Sequence, residues 1–276
     1  MRLGVMFDRG LPPEELVPFA RALDTMAGIE DLWVVEDLGW TGGLTSAATA
    51  LAVTSRLRVA VGITPAPLRN PALLAMELGN LARLHPGRFV AGIGHGVREW
   101  MRQAGVAPRS PLSLLEETLV SVSALLSGEQ VSLDGREVRL DGVRLVHPPQ
   151  VPPPLMTGAI GPKSLALSGR LAQGTIVPEG YGPERVRAAL EAIAPTGPHE
   201  LVVLTYLCSG ELPEPLAAEM AGFLQVPASE VASLSGTPDE AVARLRALWE
   251  AGADTVVLRP TGPEPLRLVV DLLGAL

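Results

Sequence analysis

The chain has 276 residues, a formal net charge of −8, 47% hydrophobic and 19% charged residues, and one cysteine, Cys208. A lone thiol excludes a disulfide framework and fits a reducing compartment. An acidic balance without a basic cluster excludes a nucleic-acid partner, whose phosphates need a concentrated Lys/Arg face. No run approaches the roughly 18 apolar residues of a membrane span, and the opening MRLGVMFDRG lacks the grammar of a signal peptide. A cytoplasmic protein with no membrane partner is expected.

Leu3 to Phe7 is a short apolar run that leads through Asp8 and a Gly/Pro turn into a helical stretch from Pro13 to Met26. The same unit recurs: Leu32 to Val35 precedes the Ala/Thr/Leu-rich Thr45 to Thr54, and Leu57 to Ile63 precedes a helix from Asn70. Asn70 supplies an N-cap acceptor and Pro71 a fixed φ at the first helical position. Ser113 to Glu116 and Thr237 to Glu240 both spell the capping box, so a helix is expected to open at each. Gln130 to Val146 alternates polar and apolar residues around Asp134-Gly135 and reads as a β-hairpin. The stretch from 210 to 236 reads as irregular; Gly252 then closes a helix, Thr255 to Leu258 is a buried strand, and Pro265 to Leu273 is a last helix.

Strands are thus expected near residues 2–7, 31–36, 57–63, 88–93, 154–158, 173–177, 200–207 and 254–258. Apolar on both faces, they are suited to a buried parallel sheet. Eight strand–helix units fill the chain as one domain, residues 1–276, and match the roughly 250 residues of a (β/α)8 TIM barrel, with the hairpin inserted before the fifth strand. A doubly wound open sheet is the alternative.

In such a barrel, chemistry sits in the loops after each strand. Those loops carry Asp8 and Arg9 after the first strand; Glu36, Asp37 and Trp40 after the second; Thr64 and Pro65 after the third. Glycine-rich loops follow the fourth (Gly92 to Gly96) and the fifth (Gly158 to Gly161). Glycine allows backbone N–H groups close to a phosphate, and a helix N-terminus adds partial positive charge. A phosphate-bearing ligand is expected, although plain turn chemistry would also select glycine. GxGxG lacks the dinucleotide spacing GxGxxG, which disfavours a Rossmann NAD site. His85, His147 and His199 lie in turns without paired ligands, so no metal site is expected. Cys208 reads as a small buried hydrophobe, and no GxSxG or GxxxxGK[ST] motif occurs.

Five blocks, LWVVED (32–37), VGITPAPLR (61–69), GRFVAGIGHGVREW (87–100), PPPLMTGAIGPKSLALSGRLAQG (152–174) and 236–258, resemble the bacterial-luciferase-like monooxygenase family in order and spacing. The likeness is to the branch that uses the deazaflavin coenzyme F420, and it implies a TIM barrel with insertions. It also implies a bulge with a non-prolyl cis peptide at Gly62 and Ile63, followed by Thr64, supporting the cofactor ring. Gly94, His95, Gly96 and Val97 would meet the cofactor's side chain and phosphate. Gly158, Ala159, Ile160, Gly161 and Ser164 would form a second phosphate cradle, with Lys163 beside it.

One departure bears on mechanism. Many F420-dependent members end the second strand in Asp-His, whereas here Asp37 precedes Leu38. Asp37 and Glu36 remain as cofactor contacts or bases, or as solvated loop charges, and Glu99 is the nearest acid after the glycine-rich loop. Trp40 and Phe7 are expected to wall the substrate pocket and Trp100 and Met101 to cap its mouth or line a substrate channel, with Asp8, Arg9, Arg259 and Thr261 as positional candidates in the loops that shape it. The resemblance implies hydride transfer between F420 and a small organic molecule. An FMN-dependent two-component monooxygenase and a non-catalytic flavin- or phosphate-binding barrel are the alternatives. A homodimer through early helices, including the small residues of Ala47 to Ala52, is expected.

Overall fold

Strands that are apolar on both faces must be covered on both, and here helices wind around a closed sheet. In the computed structural model, which describes residues 1–276, β1 (Arg2–Met6) leads to α1 (Leu16–Thr25), β2 (Asp31–Val34) to α2 (Gly43–Val53) and β3 (Arg58–Pro65) to α3 (Pro71–Leu84). β4 (Phe89–Gly94) leads to the short α4 (Arg98–Gln103) and the longer α5 (Pro111–Leu126). The hairpin strands β5 (Val131–Asp134) and β6 (Arg139–Val143) come next. β7 (Leu155–Gly158), α6 (Pro162–Leu171), β8 (Gly174–Val177), α7 (Pro183–Ile193) and β9 (Glu200–Leu207) continue the alternation. α8 (Glu214–Leu224), α9 (Pro238–Glu250), β10 (Thr255–Pro260) and α10 (Pro265–Ala275) complete it.

β1 to β4 and β7 to β10 form one closed barrel with every neighbouring pair parallel, sealed where Arg2 of β1 pairs with Thr255 of β10. The hairpin is a separate two-stranded sheet, so the fifth barrel strand is β7. This is the expected (β/α)8 TIM barrel with its insertion.

The barrel is filled from inside by Met6, Trp33, Ala60, Val90, Met156 and Ile176, among others. Trp33 is fully buried and dictates small neighbours: a Cβ at Gly4 or Gly62 would lie 3.0 or 2.8 Å from its ring. The N-terminal end of the barrel is closed by a charge network. Arg58 donates to Asp31 Oδ2 at 2.6 Å and to Glu200 Oε1 at 2.7 Å, and Thr255 donates to Glu200 at 2.5 Å. Burial opposes charge on Arg58, but the two carboxylates outweigh it and raise its pKa.

Helix ends follow side-chain chemistry. Asn70 Oδ1 accepts from Ala72 N at 2.9 Å, and Thr237 with Glu240 makes both hydrogen bonds of the capping box. The box expected at Ser113 is absent. Ser110 is the N-cap of α5, with Pro111 at the first position and Ser113 already inside the helix. Glu137, from the hairpin, accepts the Ser110 N–H at 2.7 Å, a task the N3 glutamate performs in a capping box.

Two further expectations are corrected. The stretch from 210 to 236 contains α8, eleven residues long. Phe7 does not wall a pocket: it is buried edge-on against Phe19 of α1, with ring centroids 5.3 Å apart. In α2, Ala47 and Ala50 face inward and are fully buried, so their small size serves packing on the barrel.

Candidate functional site

The C-terminal ends of the strands surround a cavity of about 470 Å³, within the range of small-molecule sites. Its floor is set by an irregularity in β3. Val61 pairs with Ala91 and Thr64 with Ile93, so β3 spends one residue more than β4 over the same rise, and the Gly62–Ile63 peptide is cis. The Ile63 side chain is thereby laid across three glycines: a Cβ at Gly158, Gly94 or Gly92 would come within 2.8, 2.9 or 3.3 Å of it. Gly94 and Gly158 are therefore glycine to admit Ile63, a cause the sequence reading assigned to phosphate. Gly96 is glycine for a different reason, its φ of +70°.

Gly161 alone among these five glycines has no protein atom within 4 Å of a built Cβ. It caps α6, whose first residue is Pro162. The free N–H groups of that first turn and the partial charge of the helix N-terminus face the open space beside Gly161. His95 Nε2 lies 2.8 Å from Ser164 Oγ, tying the loop after β4 to α6. Burial pushes the His95 pKa below its usual value, favouring neutral imidazole, and its Nδ1 is buried without a hydrogen-bond partner. These residues fit a phosphate-bearing ligand.

Of the residues singled out from sequence, Glu36, Asp37, Gly62, Ile63, His95, Gly96, Val97, Gly158, Ala159, Ile160, Gly161 and Ser164 line this one cavity. Gly94 and Thr64 lie behind its wall, both buried, with Thr64 Oγ1 unpartnered. Glu99 does not reach it: it is exposed on α4 and pairs with Arg102 at 3.0 Å. Trp100 lines the cavity, whereas Met101 is buried beneath the loop.

Glu36 and Asp37 have partners that restrict what they can do. Both oxygens of Glu36 accept from Arg69, and Oε2 also accepts from Gly43 N at 2.8 Å, at the start of α2. A carboxylate so occupied orients loops and has little capacity left to take a proton. Asp37 accepts from Arg9 Nη1 at 2.6 Å, and Arg9 Nη2 donates to Glu219 of α8 at 2.8 Å. The Arg9 guanidinium also lies 4.6 Å over Trp40, which in turn is 6.1 Å from Trp100. Burial works against this cation, but Asp37 more than compensates and raises its pKa.

Several cavity residues were not legible as site residues. Glu219, Met220 and Phe223 reach the cavity from α8. Their signal was present in EPLAAEMAGFL, where Leu216, Met220 and Leu224 recur every four residues behind Pro215. Glu179 follows the sixth barrel strand and pairs with Arg259 at 3.0 Å; the rule that ligand groups follow strand ends would have found it.

Comparison with known proteins bears directly on this barrel and cavity. The family model for luciferase-like monooxygenase matches residues 1–224. The chain belongs to the luciferase-like monooxygenase family. Among relatives, a 5,10-methylenetetrahydromethanopterin reductase of Methanolobus tindarius is 26% identical over 215 residues, 75% of this chain and 65% of the relative. An F420-dependent glucose-6-phosphate dehydrogenase of Beutenbergia cavernae is 31% identical over 186 residues, 62% of this chain and 54% of the relative. The chain thus spans less than two thirds of the length of these two relatives.

The luciferase-like fold extends to solved structures. An F420-dependent secondary alcohol dehydrogenase in complex with an F420-acetone adduct superposes with a TM-score of 0.83 at 16% identity, covering 100% of this chain and 98% of that one. The FMN complex of the oxygenating constituent of 3,6-diketocamphane monooxygenase from Pseudomonas putida gives 0.76 at 17%, covering 99% and 96%. No helix is long and apolar enough to cross a membrane.

Proposed function

We propose that this luciferase-like protein is an F420-dependent oxidoreductase that transfers a hydride between the deazaflavin and a small organic substrate. The deciding feature is the juxtaposition, in one cavity, of the open α6 N-terminus at Gly161 with the apolar floor made by Ile63 on its glycines. The F420-dependent names of the relatives support the cofactor. When bound, F420 supplies a ring carbon that accepts or delivers a hydride.

The chain's own residues divide the remaining work. Ala159 to Gly161 and Ser164 would hold the phosphate, with Gly158 seating Ile63 and His95 bracing Ser164. Ile63, Val35, Val97 and Ile176 present an apolar wall that excludes water from the transfer. Leu38 follows Asp37 where the family resemblance implies a histidine, so rate enhancement comes from orientation more than from a proton donor at that position. Glu36 and Asp37 act as positioning groups through Arg69 and Arg9. A cytoplasmic homodimer completes the reading.

Oxygen chemistry separates this function from the FMN alternative. With reduced F420 and a panel of small ketones, the protein is expected to oxidise the cofactor at the same rate with and without air, with no oxygen uptake. Oxygen uptake driven by reduced FMN, above a protein-free control, would instead assign a monooxygenase.

A further inference from the structure

Two cavity residues come from the sixth and eighth barrel strands: Glu179 follows β8 and Arg259 lies in β10. Arg259 is held on three sides. Its Nε donates to Asp8 at 2.5 Å, its Nη1 to Glu179 Oε1 at 3.0 Å and to the Tyr206 hydroxyl at 3.4 Å, and the guanidinium lies 5.2 Å over the Tyr206 ring. Asp8 is fixed in turn, its Oδ1 accepting from Gly10 N at 2.7 Å. Two polar atoms of the pair are left over. Arg259 Nη2 and Glu179 Oε2 make no hydrogen bond within the chain, yet neither is a sealed, unpartnered atom, and both residues line the cavity.

We propose that Glu179 and Arg259 are the specificity-determining pair for the substrate, holding an uncharged oxygen, best a hydroxyl, and excluding anions. This rests on the F420-dependent reading and names the substrate class for it. A hydroxyl both accepts and donates, so it satisfies Arg259 Nη2 and Glu179 Oε2 at once; a carbonyl satisfies the first only. A carboxylate or phosphate would pair with Arg259 only by meeting the Glu179 carboxylate in a site where that residue is 7% exposed, and like charges at low dielectric repel strongly.

No other cation relieves this. Arg9 has both terminal nitrogens on Asp37 and Glu219. Of the carboxylates lining the cavity, Glu36 is neutralised from behind by Arg69, while Asp37, Glu179 and Glu219 share two guanidiniums, Arg9 and Arg259. A sugar phosphate, the substrate in the name of one relative, is thus disfavoured here.

The test uses the full chain and three probes, cyclohexanol, cyclohexanecarboxylate and glucose 6-phosphate, titrated calorimetrically with and without F420. Wild type is expected to bind cyclohexanol at least tenfold more tightly than either anion. Glu179→Gln, nearly isosteric, should gain at least tenfold for cyclohexanecarboxylate. Arg259→Lys keeps the charge but loses the placed Nη2, and should weaken cyclohexanol at least tenfold while the carboxylate stays excluded; it decides the matter if the glutamine variant does not fold. Wild type binding either anion as well as cyclohexanol, binding none of the three, or unchanged discrimination in folded variants would overturn the proposal. F420 affinity, read in the same samples, reports separately on the cofactor reading.

Discussion

Glycines at the rim of this barrel serve different masters, and the difference can be measured residue by residue. At Gly158 a methyl group would lie 2.8 Å from Ile63 Cγ2, whereas at Gly161 it meets nothing within 4 Å. Gly158→Ala is expected to cost about 1–3 kcal/mol of stability through overpacking. Gly161→Ala should stay within about 0.5 kcal/mol while weakening cofactor binding, because the space it fills is free of protein atoms and is where the proposed phosphate would sit. Equal destabilisation by the two in urea melts would contradict this account. A second residue-scale expectation concerns Asp24, which accepts from the backbone N–H groups of Ser55, Arg56 and Leu57. Burial opposes its charge, but these hydrogen bonds prevail and hold its pKa at about 2. A depressed carboxyl stabilises fully above its unfolded value, near 4, and that contribution is lost as pH falls toward 2. Asp24→Asn should therefore flatten stability against pH across that window; an unchanged slope would show that other carboxylates dominate there.

Elements were legible where one local rule acted alone. The eight strands are continuous apolar runs buried on both faces, so their positions could be read to within a residue or two at most ends. Helix α3 announced itself through Asn70-Pro71 and α9 through Thr237 to Glu240. The start of α5 was misread because two serines compete: Ser113 fits the capping box by spacing, yet Ser110 precedes Pro111 and finds its reciprocal acceptor in Glu137, 27 residues away. Ser110→Ala should cost about 1 kcal/mol, while Glu116→Ala, exposed and bonded only to Arg170, should cost almost nothing. The reverse order would restore the capping box at Ser113. Helix α8 is hidden in the sequence because Gly- and Pro-rich flanks on both sides mask the four-residue recurrence of Leu216, Met220 and Leu224.

At the scale of the whole molecule, a closed barrel separates stability from chemistry. The Asp31–Arg58–Glu200 network seals one end, and the loops that follow the strands build the cavity at the other. The barrel was readable from element order because strand and helix alternate eight times. Much of the cavity was readable too, since loop residues after strands converge by topology alone. What could not be read were the pairings that decide roles. Glu36 meets Arg69 across 33 residues because β2 and β3 are neighbours, whereas Arg9 meets Glu219 across 210 and Arg259 meets Asp8 across 251 because the barrel closes. On the reading proposed above, those pairings make Glu36 and Asp37 positioning groups and leave Glu179 and Arg259 as the pair that meets substrate. A parallel fluorescence titration of wild type and Gly161→Asp with F420 and with FMN tests whether this cavity holds a deazaflavin. Tighter binding of F420 than of FMN, lost at least tenfold in the aspartate variant without a change in melting temperature, is the expected result. Preference for FMN, or binding of neither, would contradict it.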